Sequence, residues 1–364
     1  GYLTTAHGWV QRYRCRSCGK TVSGQHESLH YFAKRRLPLR AICASLLGGS
    51  SLREIAGRYR VSPMAVQNAL LRLGRQAMAI QLLLLAELLP REAVVFDGFR
   101  SFLTSQDFPC DITLSVDPAG EVILSMVHTV FTRGGRMRRQ QRRRLQAKRA
   151  LWQPPRGAFT RDITLVVTEL WDYLRPLSPG GLLWVHSDCD PLYRRLLRSH
   201  PVARHYRAAG QLFHQRTPAT APRTAANPLF AANYLDRLLR HRLREHTRET
   251  IAFARNATMQ MHRAWLFAFD HNLRRPYRVK HPELGGHIEQ GSVADTARLK
   301  KARRQFFTRR IQPGGYAVPE SIRRVWLAEL DTPPLRWRAG QTGSSVRIPA
   351  FARRELLQGY QQAR

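Results

Sequence analysis

Hydrophobic spacing divides the 364-residue chain into stretches of different period. Between residues 38 and 80 the apolar positions recur at helical intervals. Leu39, Ile42, Ala44 and Leu46 mark one short helix. A second begins at Ser51-Leu52-Arg53-Glu54, where serine is the N-cap and Glu54 stands at the capping-box position. Residues Gly57 to Val61 break the pattern, and Ser62-Pro63 opens a third helix with serine at N-cap and proline at N1. The spacing of Ile55, Val61, Val66 and Leu70 predicts a helix-turn-helix. A linker helix is expected over residues 77–90, closed by Pro90.

The period then shortens. Ala93-Val94-Val95-Phe96-Asp97 reads as a buried strand ending in an acid. Asp111 to Val116 alternates, Asp117-Pro118-Ala119-Gly120 supplies a turn, and Val122, Leu124 and Met126 resume the alternation as a hairpin. Helical spacing returns over Asp162–Leu174. Gly181 to Asp188 is a second buried strand ending in an acid, and Asp190-Pro191 cap the helix after it. Strand, strand, strand, helix, strand, helix predicts an α/β domain with a mixed sheet. A long helical stretch is expected from Asn233 to Phe269, and residues 276–364 read as a basic arm or small appended element.

Charge changes the picture. Sixty Lys and Arg against 25 Asp and Glu leave a formal charge of +35, while 43% apolar residues support a substantial core. A folded chain this basic is expected to bind a polyanion, nucleic acid foremost. Residues 133–149 carry nine of the basic residues and no acid, so this block should repel itself and stay open or lie against something negative. Arg138, Arg139, Arg142, Arg143 and Arg144 are its DNA-contact candidates. Gln67, Asn68 and Arg72 are the corresponding candidates on the third helix, which would enter a major groove. The longest apolar run, Ala77 to Leu89, contains Gln81 and Glu87 and is too short for a membrane span, so no membrane association is expected. Five cysteines do not form a disulfide framework in a chain of this length.

Two chemistries remain. Cys15-Arg-Ser-Cys18-Gly19 is a zinc-knuckle spacing that supplies two thiolates. His26 and His30 could complete a Zn²⁺ site, as could a second cysteine pair preceding Gly1. Burying an acid is costly unless it is paired or binds metal. Asp97 and Asp188 end two core strands, where they could hold Mg²⁺ or Mn²⁺ for phosphoryl transfer. Asp236, Glu245 and Glu249 are candidates for a third carboxylate, and spacing does not choose among them.

Several blocks together resemble bacterial insertion-sequence transposases of the DDE type. They are Asn227-Pro-Leu-Phe230, Asn233-Tyr234, His246-Thr-Arg-Glu-Thr250, Phe253-Ala-Arg-Asn256, His271-Asn272 and Arg275-Pro-Tyr277. His186-Ser-Asp188 with Tyr193-Arg194 is similar to the second-acid motif of that family, and Phe96-Asp97 to the first. The resemblance covers most of the chain up to about residue 280.

It implies an RNase H-like catalytic domain over 90–275 with a basic insertion at 133–157. A zinc-ribbon-like segment at 1–35 and a helix-turn-helix domain at 36–80 would precede it. The implied catalytic and Mg²⁺-binding triad is Asp97, Asp188 and Glu249; Arg248 and Arg255 would face phosphates, and His271 and Asn272 would support the site. The implied activity is cleavage of transposon ends followed by attack of the released 3′-hydroxyl on target DNA. Its partners would be double-stranded DNA and, since two ends must meet, a second copy of the chain. A bacterial cytoplasmic, nucleoid-associated setting is implied in the same way. The upstream cysteine pair expected of the ribbon is absent from this sequence. The alternatives are a metal-dependent nuclease without strand transfer and a non-catalytic DNA-binding protein derived from a transposase.

Overall fold

The computed structural model describes residues 1–4, 8–247, 251–337, 343 and 346–362. Two small hairpins come first: β1 (Tyr2–Thr4) with β2 (Gly8–Val10), and β3 (Arg12–Arg14) with β4 (Thr21–Ser23). The helical unit follows as α1 (Leu39–Leu47), α2 (Leu52–Arg58) and α3 (Pro63–Ala86). Its start signals work as expected. Ser51 accepts the Glu54 amide while Glu54 accepts the Ser51 amide, and the Ser62 side chain accepts from the amide of Ala65.

The sheet consists of β5 (Ala93–Leu103), β6 (Ser105–Asp117), β7 (Val122–Val130), β8 (Leu183–Ser187) and β9 (Leu212–Arg216). Their spatial order is β7-β6-β5-β8-β9, with β5, β6 and β7 antiparallel and β5, β8 and β9 parallel. This is the mixed α/β sheet expected, with β9 as an added edge strand that the apolar pattern did not announce. Strand β5 is paired to β6 as far as Leu103, so Asp97 lies inside its strand and not at its end as expected. Between β7 and β8 run α4 (Arg139–Leu151) and α5 (Ala158–Leu170). Helices α6 (Pro191–Ser199) and α7 (Pro201–Ala208) separate β8 from β9. The chain continues through α8 (Phe230–Arg242), α9 (Ala257–Arg274), α10 (Thr296–Gln305), α11 (Glu320–Trp326) and α12 (Ala350–Gln362).

Four expectations are corrected or narrowed. First, α3 does not stop to form a linker. It runs for 24 residues and is the one helix, among the described residues, long and apolar enough to cross a membrane, yet 83% of that window is buried inside the protein. It packs along α9, where Gly74 leaves room for His262: a Cβ at Gly74 would lie 2.3 Å from its Nδ1.

Second, the helix expected over 233–269 is two helices. Leu243 turns the backbone extended after Arg242, and Asn256 restarts the helix by accepting from the Met259 amide. An asparagine N-cap is the stop-and-start signal that a reading of apolar spacing alone passes over.

Third, of the two courses expected for the arginine block, staying open or lying against something negative, it takes the second. It forms α4, held down by buried Leu145 and by Asp107, which takes Arg144 through two hydrogen bonds of 3.0 Å and Lys148 at 2.7 Å. One fully buried carboxylate here offsets the repulsion of its neighbours.

Fourth, the C-terminal region is not an extended arm. Phe306, Ile322, Val325 and Trp326 are buried in the same continuous core as Leu46, Leu73, Phe96 and Leu124.

Candidate functional site

Val95 stands beside His186 in the parallel ladder between β5 and β8. Continuing that register by two residues brings Asp97 alongside Asp188, just past the end of β8. Strand alternation then decides which way Asp97 faces. Val95 packs on Leu229 and Ala232, and the Phe99 ring receives the Arg240 guanidinium at 4.5 Å, so the 95-97-99 side of β5 faces α8. Phe96, on the opposite side, meets Tyr193 of α6 at 4.8 Å.

The carboxylates feel one another. Burial, then the negative charge of Asp188, pushes the Asp97 carboxyl up to about 7 despite the Gly98 amide that donates to it at 2.8 Å. Asp188 is also raised, chiefly by burial, while the Asp190 amide donates to it at 2.9 Å. Asp236 on α8 is driven well above the carboxylate range by burial and then by Asp97. Glu245 is occupied elsewhere, in a buried 2.9 Å ion pair with Arg263 of α9. Glu249 and Arg248 lie outside the described residues. Of the third-acid candidates that are described, Asp236 senses Asp97 and Glu245 does not.

A fourth acid lies close by on the other side of β5, the side of Gly98 and Arg100. Asp111 on β6 is buried, accepts from Thr113 Oγ1 at 2.8 Å and pairs with Arg100 at 3.2 Å. A Cβ at Gly98 would come within 2.7 Å of its Oδ1, so glycine lets this carboxylate lie against β5. Burial raises Asp111, with Asp188 and Asp190 adding to it. The Tyr193 hydroxyl is likewise held protonated by burial and by Asp111, Asp188 and Asp97. The signal for Asp111 was present in the sequence as an acid at the head of an otherwise apolar alternation. Arg223, in the loop from β9 to α8, is close enough to draw the Asp97 and Asp236 carboxyls downward.

Among the described residues no three His, Cys, Asp or Glu side chains are gathered closely enough to hold a metal ion. The donor set at Asp97, Asp188 and Asp236 nevertheless has the chemistry of a hard-cation site. It is all carboxylate oxygen and half-buried, and Asp188 raises the proton affinity of Asp97 as Asp97 raises that of Asp236, a repulsion that a divalent cation would relieve.

In comparisons with known proteins, the chain matches no family model and no curated protein.

The other sequence-derived candidates fall as follows. Cys15 and Cys18 form a tight knuckle: Gly19, at φ +67°, donates to the Cys15 carbonyl at 3.0 Å, and the Cys15 amide donates to the Lys20 carbonyl at 2.8 Å. Both thiols are exposed, and the Ser17 hydroxyl 3.0 Å away lowers the Cys15 thiol to about 6. His26 stacks edge-on against Tyr31, and His26 and His30 are not gathered with the two cysteines into a metal-holding group.

Asn68 is exposed and Gln67 half-buried near the start of α3. Arg72 is turned inward, where its Nη1 donates to the Leu29 and Tyr31 carbonyls, so it fastens the N-terminal segment to α3. On α4 and just before it, Arg138, Arg139, Arg142 and Arg143 are exposed, whereas Arg144 is committed to Asp107. Arg255 is exposed immediately before α9.

His271 and Asn272 brace a strand instead of the carboxylates. Asn272 accepts the Ile123 amide at 2.9 Å and donates to the Ile123 carbonyl at 3.0 Å, substituting for a missing ladder partner of β7. His271 Nε2 bonds the Glu121 carbonyl at 2.9 Å. Strand β7 is two strands away from Asp97.

Proposed function

We propose that the protein is a DNA transposase of the DDE type, built on an RNase H-like sheet, with Asp97, Asp188 and Asp236 as its carboxylate triad. The observation that carries the reading is that Asp97, inside β5, and Asp188, just past the end of the parallel neighbour β8, fall level with each other when the ladder register is continued, with Asp236 on the helix covering that side and its carboxyl raised by Asp97. The strand order, three antiparallel strands followed by two parallel ones, supports the fold assignment. Asp236 takes the third position in this assignment because, among the described candidates, it is the one whose carboxyl Asp97 raises.

Held by these carboxylates, Mg²⁺ or Mn²⁺ would activate the attacking oxygen and stabilise the leaving one. The chain's own residues supply the setting. The Gly98 and Asp190 amides fix the orientation of Asp97 and Asp188. Tyr193 and Phe96 wall off the far side of β5 from water. Arg223 offers positive charge to a phosphodiester at the carboxylates. In the joining step a DNA 3′-hydroxyl attacks a target phosphodiester; a P–O bond forms to the incoming strand as the bond to the departing 3′ oxygen breaks. Exposed arginines of α4, with Asn68 at the start of α3, supply contacts to the duplex.

The test is a strand-transfer assay with Mg²⁺ or Mn²⁺, comparing wild type with Asp97→Asn, Asp188→Asn, Asp236→Asn and Glu249→Gln. Joining should be lost in the first three variants and kept in the fourth. Loss in Glu249→Gln with retention in Asp236→Asn would return the third position to Glu249. Cleavage without joining would identify a nuclease, and equal behaviour of all five proteins would overturn the catalytic reading.

A further inference from the structure

Most acids of this chain are already taken by arginines. Asp107 holds Arg144, Asp162 holds Arg161 and Arg324, Glu121 holds Arg278, and Asp270 is surrounded by Arg242, Arg274 and Arg275. Many arginines have no such partner among the described residues, and four of them stand together. Arg194, Arg195 and Arg198 on α6 and Arg216 at the end of β9 make no ion pair among the described residues. They line a concave cleft of about 590 Å³ together with Pro191 and Ser199. Arg207 of α7 stands close behind, where burial and then Arg198 and Arg194 disfavour its charge.

Such a grouping is unfavourable in isolation. Arg194 and Arg198 are one helical turn apart, and like charges at that spacing repel. Solvated arginines on a convex helix face would simply spread apart. Here the chain bends between α6 and α7, and β9 brings Arg216 in from a separate element, so the guanidinium groups converge on one hollow. Guanidinium forks without protein acceptors match phosphate oxygens in charge and in hydrogen-bond geometry.

Location gives the cleft its meaning. Arg216 is the in-register neighbour of Ser187, the residue before Asp188, and α6 begins three residues after Asp188. By strand alternation Ser187 and Arg216 share the side of the sheet that carries Phe96 and α6, so the hollow opens close to Asp188 along the chain but on the side of the sheet opposite Asp97.

We propose that the cleft between α6 and the end of β9 is a phosphate-backbone site for duplex DNA, holding the duplex on the side of the sheet opposite Asp97. This rests on the reading of the protein as a DNA-processing enzyme, but its test does not require catalysis. Arg194 and Arg198 bind phosphates from α6 and Arg216 a further one from β9, so the contact is independent of base sequence.

The experiment is a salt titration of binding to a fluorescent duplex of about 30 bp, read by anisotropy, with the full chain. The Arg194→Gln/Arg198→Gln/Arg216→Gln variant should lower the slope of log affinity against log salt by about 2 to 3, since each lost phosphate contact removes roughly 0.9. A charge-matched control confined to α10, Lys300→Gln/Lys301→Gln/Arg304→Gln, should change the slope by much less. Melting of each variant verifies folding, and the cleft variant should be no less stable than wild type because it loses repulsion. An unchanged slope, or one reduced equally by the control, would overturn the cleft assignment. Strand transfer by Asp97→Asn, measured beside this titration, separates the two ideas. If Asp97→Asn leaves strand transfer intact while the cleft variant loses its slope, the catalytic reading fails and the cleft stands; the reverse pattern removes the cleft alone.

Discussion

Arg263 of α9 and Glu245, in the turn after α8, form a 2.9 Å ion pair in which both side chains are more than nine-tenths buried. Burial alone would raise the Glu245 carboxyl, yet Arg263 and then the charge of neighbouring His246 hold it below its usual range. Removing one partner leaves the other charge buried alone, so Glu245→Gln should destabilise the protein by about 3–5 kcal/mol. Urea unfolding measures this. A Glu245 that served the carboxylate centre would instead change activity at unchanged stability.

Stability should fall as pH rises through the range set by Glu169. This side chain is buried, and burial lifts its carboxyl to about 7 from 4.5 although Ser321 donates to it through both its amide, at 2.9 Å, and its hydroxyl, at 2.7 Å. Its folded-state proton affinity exceeds the unfolded one. The contribution is therefore fully present below pH 4.5 and lost progressively as pH approaches and passes 7. The loss amounts to roughly 3 kcal/mol at about 1.36 kcal/mol per unit. Urea unfolding at a series of pH values should show this component, and Glu169→Gln should flatten it.

Gly74→Ala should be poorly tolerated. The added methyl would lie 2.3 Å from His262 Nδ1 and 2.8 Å from its Cβ, at the crossing of α3 and α9. Helix propensity favours alanine by about 1 kcal/mol, but overpacking of this kind costs about 1–3 kcal/mol. Thermal unfolding should show a net decrease, and a Tm at or above wild type would mean that the two helices can separate without cost.

Asp107→Asn should release α4 without unfolding the sheet. Asp107 is the acid that holds Arg144 and Lys148, and α4 buries little besides Leu145. Hydrogen exchange should accelerate across 139–151 while β6 and β7 remain protected. Unchanged protection of α4 would show that Leu145 alone secures it.

Local chemistry was legible in the sequence because it depends on neighbours along the chain. The caps at Ser51, Ser62 and Asp190, the hairpin turn after Asp117 and the strand carrying Asp97 all follow from adjacent residues. Apolar spacing was less reliable where it had to set an element's limits. It neither extended α3 past residue 80 nor separated α8 from α9, because both outcomes depend on what packs against those segments.

The sequence alone determined the basic charge, the mixed helix-and-strand content, and the association of Asp97 and Asp188 with core strands, although Asp97 lies inside its strand and only Asp188 stands at a strand end. Tertiary structure decided how charges were shared. It gave Glu245 to Arg263 and Asp107 to Arg144, left Asp236 facing Asp97, and grouped four arginines around a hollow with no acid among them. The reason is that an ionic partner is chosen by distance through space and by exclusion of water. Neither is encoded in the spacing of residues along the chain.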